Sequence, residues 1–222
     1  DDSKHDIYND NISFALNKIG LNALDVSDFD KAIEYFTKAY DTYKVDVYKN
    51  NIAVACNGKG LKCLSECEFN EAIKLFDKAY TLDEQERYLS NKGAAFNSIG
   101  LEYLNECKYQ ESIEYFNKAK ECSELKQDVC NENIGFAYNK MGLNSLDNCQ
   151  YNKAIEYFKE AYKVCQKDVC NTNIGVAYNE LGLQCLTNTD YIEAIKYFNK
   201  ALVYDDVKGS VYRSNIAFSY NK

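Results

Sequence analysis

The sequence predicts an all-α, right-handed solenoid of antiparallel helix pairs, and three observations predict it. One phrase recurs along the chain: NISFALNKIG at 11, NIAVACNGKG at 51, NKGAAFNSIG at 91, NIGFAYNKMG at 133, NIGVAYNELG at 173 and a shorter NIAFSYNK at 215. The spacings are 40, 40, 42, 40 and 42 residues. A second phrase follows each complete first one: FDKAIEYFTKAY, FNEAIKLFDKAY, YQESIEYFNKAK, YNKAIEYFKEAY and YIEAIKYFNKAL. Proline is absent from the 222 residues, where average usage would place about eleven, so nothing breaks a helix. Self-similarity at a fixed period marks an array of supersecondary units that bury their apolar faces by stacking.

Each unit reads as two helices. In the first unit Ile12, Ala15, Leu16, Ile19 and Ala23 recur at helical spacing and predict a helix over 7–25. Phe29, Ala32, Ile33, Phe36 and Ala39 do the same over 29–43. The same two patterns predict 46–65 and 69–81, 85–105 and 109–121, 126–147 and 151–164, then 167–187 and 191–204. A sixth unit begins at 208 and is cut off at 222. The turn inside a unit, DVSD or TNTD, ends in Asp, a residue that can cap the next helix. Gly20, Gly60, Gly100, Gly142 and Gly182 recur mid-helix, where Gly costs about 1 kcal/mol against Ala. Their recurrence implies close approach of a partner helix, with Ala32, Ala72, Ser112, Ala154 and Ala194 expected opposite. The units, 7–43, 46–81, 85–121, 126–164, 167–204 and the partial 208–222, are expected to form one array.

The helix pairs resemble the tetratricopeptide repeat family. An apolar residue precedes the repeat glycine in Ile19-Gly20, Ile99-Gly100, Met141-Gly142 and Leu181-Gly182, while Lys59-Gly60 departs. Tyr191, Ala194, Phe198 and Ala201 give the family's alternation of aromatic and Ala in its second helix. The resemblance covers essentially the whole chain. It lacks the family's early Trp and closing Pro, and its 40–42-residue unit is longer than the usual 34. The resemblance implies that first helices line a concave, ligand-binding surface.

Composition narrows function. A net charge of −8 argues against nucleic acid, whose phosphates need clustered Lys and Arg. No apolar run reaches the length of a membrane span. His5 is the only histidine, so a Ser/His/Asp or Cys/His constellation has little to draw on, and no Gly-rich phosphate loop occurs. The chain is therefore expected to be no enzyme and to need no cofactor. No CxxC pair occurs among the ten cysteines, which argues against a structural zinc site. Cys122, Cys130, Cys165 and Cys170 fall where a second helix hands over to the next first helix. A bridge Cys165–Cys170 or Cys130–Cys165 is open there, and so is a reduced chain. Pairing would mean an extracellular setting, and free thiols an intracellular one.

Asn17, Asn57, Asn97, Asn139 and Asn179 recur three residues before the repeat glycine, although Asn is a mediocre helix former. They share a helix face with Phe14, Phe136 and the row Leu21, Leu61, Leu101, Leu143 and Leu183. Two readings stand. The leucines and asparagines pack helix to helix, or they form a groove in which Asn amides bond a ligand backbone. The expected function is a protein-interaction scaffold binding an extended peptide or a partner helix. The alternative is a protomer of a head-to-tail fibre. Residues 1–18 and 205–222 are alike, at an offset of 204, which predicts either further repeats or self-association.

Overall fold

A computed structural model describes residues 2–122 and 127–222. It contains eleven helices and no strand among the described residues. They are α1 (Asp2–Asp25), α2 (Phe29–Thr42), α3 (Asp46–Ser65), α4 (Phe69–Leu82), α5 (Glu86–Asn105), α6 (Tyr109–Cys122), α7 (Gln127–Asp147), α8 (Tyr151–Cys165), α9 (Asp168–Thr187), α10 (Tyr191–Tyr204) and α11 (Gly209–Tyr220). The start of α1 differs most from expectation. The polar run that opens the chain has no apolar periodicity to read, yet the helix already includes it. Lys126, the expected first residue of α7, lies outside the described residues.

The chain divides into two compact units, residues 1–99 with 117–126 and residues 100–116 with 127–222. In the first unit α1 packs on α2, α2 on α3 and α3 on α4. Its core gathers Ala32, Phe36, Ile52, Ala55, Cys56 and Tyr88, with a second cluster around Ala72, Phe76 and Ala95. In the second unit α7 packs on α8, α8 on α9, α9 on α10 and α10 on α11. Its clusters centre on Phe158, Ile174 and Ala177, and on Ile113, Phe116 and Ile134.

Each helix pair closes on a glycine and a phenylalanine. A Cβ on Gly20 would stand 2.6 Å from the Phe36 ring, and one on Gly60 2.7 Å from Phe76. Gly100, Gly142 and Gly182 meet Phe116, Phe158 and Phe198 in the same way. The close approach expected from the sequence is present, and the atoms nearest the glycine are those of an aromatic ring. At the small-residue position opposite, Ser112 donates its hydroxyl to the Gly100 carbonyl at 2.8 Å.

The turns inside the pairs share one geometry. Ser27, Cys67, Cys107, Cys149 and Thr189 all have φ between 56 and 63°. The next residue's amide donates back five residues, as in Asp28 N to Ala23 O at 2.9 Å and Gln150 N to Ser145 O at 2.8 Å. This is a Schellman motif with a non-glycine residue in the left-handed position. Asp28 and Asp190 then cap the second helix, accepting from Lys31 N at 3.3 Å and Glu193 N at 3.1 Å. Glu68 and Gln150 occupy the same position without a side-chain cap bond.

Joins between pairs are more varied. Tyr88 donates to Asp83 at 3.1 Å across the α4–α5 join. Tyr212 donates to the buried Asp205 at 2.8 Å across α10–α11. In the α8–α9 join the corresponding residues are Cys165 and Cys170, both free thiols, and Gln166 turns the chain with φ 51°.

Candidate partner-binding face

Each first helix carries a stripe of residues seven apart, which a 3.6-residue period keeps on one face. In the first unit the stripes are Ile7, Phe14, Leu21 on α1 and Val47, Val54, Leu61 on α3. In the second unit they are Val129, Phe136, Leu143 on α7, Val169, Val176, Leu183 on α9, and Val211, Phe218 on α11. Burial should have removed such side chains from water, yet Phe14 is 56%, Phe136 49% and Phe218 52% exposed. Ile7, Val47, Leu61, Val129, Val169 and Val211 are exposed as well. Leu21 and Leu143 are partly buried and lean on the cores, and Leu183 is partly buried. On α5 the pattern weakens to Arg87, Ala94 and Leu101, of which Leu101 is exposed.

A lysine one turn on lies over each phenylalanine ring: Lys18 over Phe14 at 5.5 Å, Lys140 over Phe136 at 5.2 Å and Lys222 over Phe218 at 5.6 Å. The ammonium is attracted to the ring face. It leaves the ring edges open.

The asparagine row forms a ladder. In the first unit Asn51 Nδ2 donates to Asn17 Oδ1 at 2.7 Å, and Asn91 Nδ2 to Asn57 Oδ1 at 2.7 Å. In the second, Asn173 donates to Asn139 at 2.8 Å and Asn215 to Asn179 at 2.9 Å. These bonds join neighbouring first helices directly, so α7, α9 and α11 stand side by side with their stripes adjacent. Asn17 and Asn179 are buried, while Asn57, Asn97 and Asn139 are half-buried.

The rungs and stripes place Phe136, Leu143, Asn139, Asn179 and Leu183 on neighbouring first helices of the second unit, and Phe14, Asn17, Leu21, Asn57 and Leu61 on those of the first. Sequence reasoning missed the valine row, Phe218, and the donors Asn51, Asn91, Asn173 and Asn215. The signal for the valines was the seven-residue step back from the phenylalanine position. For the donors it was their place as the first residue of every recurring phrase.

Of the four cysteines singled out, Cys165 lies close enough to Cys170 to perturb its thiol. Cys130 is buried, and Cys122 packs against Gly93. Burial, then the Cys165 thiol, push the Cys170 thiol up to about 12, which the Lys167 charge partly offsets. No group of three or more His, Cys, Asp and Glu able to hold a metal occurs among the described residues. No described helix is long and apolar enough to cross a membrane.

The Sel1 repeat family model matches residues 16–41, 50–84, 135–163 and 170–202, more than half of the chain. A tetratricopeptide repeat model matches residues 94–123. No curated protein matches the chain. Among solved structures it is similar to a TPR repeats protein from Bacteroides fragilis, at 16% identity over 94% of this chain and 98% of that one, with a TM-score of 0.47. It is also similar to the TPR2AB domain of yeast Sti1 in a pHSP90 complex, at 18% identity over 95% and 98%, with a TM-score of 0.27. YrrB, described as a TPR protein with an unusual peptide-binding site, is 14% identical over 93% and 91%, with a TM-score of 0.31.

Proposed function

The chain belongs to the Sel1 repeat family, and from that premise we propose that it is a non-catalytic protein–protein interaction scaffold whose first-helix face in the second unit holds an extended peptide. The observation that carries this reading is the exposure of Phe136 and Phe218 beside Val129, Val169 and Val211. Contiguous apolar surface of this kind is uncommon on a protein with no partner.

Spacing selects the form of the ligand. Packed helices lie about 8–10 Å apart, so a chain crossing α7, α9 and α11 meets one stripe per such step. A polyproline-II segment advances about 9.3 Å per three residues and returns the same face each time. A β-strand points its third residue to the opposite side. The polyproline form also leaves its backbone carbonyls unbonded. Asn139 gives its oxygen to Asn173, so its amide hydrogens are the donors to offer such a carbonyl. The asparagines in this reading act twice, as ties between helices and as ligand donors.

Selection from a displayed peptide library tests this. The expected ligands carry an apolar residue at every third position, and Phe136→Ala with Phe218→Ala weakens them by about 1–2 kcal/mol per ring. Ligands with apolar residues seven apart would mean a docked helix instead. Binding that survives both phenylalanine changes would remove this face from consideration.

A further inference from the structure

We propose that Cys165 and Cys170 form a redox-modified dithiol, closed to an intramolecular disulfide by a low-molecular-weight disulfide such as glutathione disulfide. The proposal does not rest on the peptide-binding face.

Placement carries the argument. Four residues after the buried alanine of a second helix, the chain has Asp83 after Ala79 and Asp205 after Ala201. Nine residues after Ala79 and eleven after Ala201 it has Tyr88 and Tyr212. In both joins the pair is hydrogen bonded. This position therefore ties the end of one helix pair to the first turn of the next. In α8–α9 both members are exchanged together, so that thiol faces thiol.

Two further features favour reaction between them. Cys165 stays within the helix, one residue beyond the ends of α2, α4 and α10 counted from their buried alanines. Its Sγ is lodged against Gly135, where a Cβ would stand 2.6 Å away. Gln166 then takes the left-handed conformation and brings Cys170 back toward it. Accessibility also differs between the two. Cys165 is half-buried, and Cys170 is buried, which assigns them the roles of attacking and resolving thiol.

The chemistry balances as two exchanges. The Cys165 thiolate attacks one sulfur of glutathione disulfide; a mixed disulfide forms, the glutathione S–S bond breaks, and one glutathione leaves with the proton Cys165 gave up. Cys170 then loses its proton and attacks Cys165 Sγ. The protein S–S bond forms, the mixed disulfide breaks, and the second glutathione leaves protonated. The protein loses two electrons and two protons, which reduce one glutathione disulfide to two thiols. The second exchange is the slow one, because burial disfavours the Cys170 thiolate.

The experiment uses the full chain carrying Cys67→Ser, Cys107→Ser and Cys149→Ser. These remove the exposed turn thiols, and Ser27 already fills the same turn position in the first pair. After treatment with glutathione disulfide, the protein is alkylated, cut with trypsin and mapped by mass spectrometry. Lys167 separates the two cysteines, so a disulfide joins two tryptic peptides into one species that reductant splits. The expected result is that joined species, with no glutathione left on Cys165. With Cys170→Ser added, glutathione should remain on Cys165. A stable glutathione adduct on Cys165 in the chain that keeps Cys170 overturns the proposal. So does recovery of both thiols alkylated, or pairing of Cys165 with Cys130.

Discussion

The α4–α5 join of the first unit and the α8–α9 join of the second span the same length of sequence, from Ala79 to Tyr88 and from Ala161 to Cys170. They are closed by different physics. At α4–α5 the helix stops at Leu82, Asp83 takes an extended backbone and the link is a hydrogen bond to a buried phenol. At α8–α9 the helix runs on through Cys165, the reversal falls on Gln166 in the left-handed region, and the link is a pair of thiols. One join uses a strong polar bond with relaxed backbone. The other accepts a left-handed backbone at Gln166 and sets a half-buried thiol beside a buried one.

The largest expected effect tests what the two units share. Gly60→Leu in the first and Gly142→Leu in the second both force a side chain into a phenylalanine ring. Each should cost about 1–3 kcal/mol or more by overpacking, measured as thermal or urea unfolding. Similar losses would confine the difference between units to the joins, and an unchanged melting temperature in either would disprove the close contact there.

Alkaline pH should separate the joins next. Burial raises both the Cys170 thiol and the Tyr88 phenol; for the phenol the bond from Arg87 opposes the rise and the bond to Asp83 adds to it. Both groups are neutral when protonated, so the folded chain holds their protons more tightly than the unfolded one. The associated stability is complete below the unfolded values of 9.0 and 10.0 and is lost as pH rises through the folded ones. For Cys170 that window runs from 9.0 to about 12, with a slope on the order of 1 kcal/mol per pH unit. Urea titrations across this range should show Cys170→Ala flattening the early part of the decline and Tyr88→Phe only the later part.

The smallest effect has opposite signs in the two joins. Gln166→Gly should stabilise by about 0.5–1 kcal/mol, because glycine relieves the left-handed backbone. Asp83→Gly should destabilise by about 1 kcal/mol, having removed the Tyr88 acceptor and loosened a relaxed segment. Two changes of the same sign in matched melts would show that the joins are not differently built.

Much of this was legible in the sequence. The apolar periods placed the later helices within a residue or two of their ends, because five repetitions of one pattern average out local ambiguity. What escaped depended on direction and distance. The glycines announced a close neighbour, but only the folded pair shows that the Phe36 or Phe158 ring lies nearest. The row of asparagines was visible, yet its partners lie a whole unit away, as Asn51 does from Asn17. The left-handed turn positions were hidden because Ser27, Cys67 and Thr189 stand where Gly or Asn would have signalled the conformation.

The amide bonds between neighbouring first helices run one way. In each observed rung the later helix donates and the earlier accepts: Asn51 to Asn17, Asn91 to Asn57, Asn173 to Asn139 and Asn215 to Asn179. The rungs hold whether the partners are 34 residues apart, as in the first three, or 36, as in the last. The longer connection before α11 leaves the rung bond in place. In the observed rungs a repeat offers a donor to its predecessor and an acceptor to its successor. Duplication or loss of a unit between such rungs would leave the amide bonds of the new junction matched, whatever it did to the side chains at the joins.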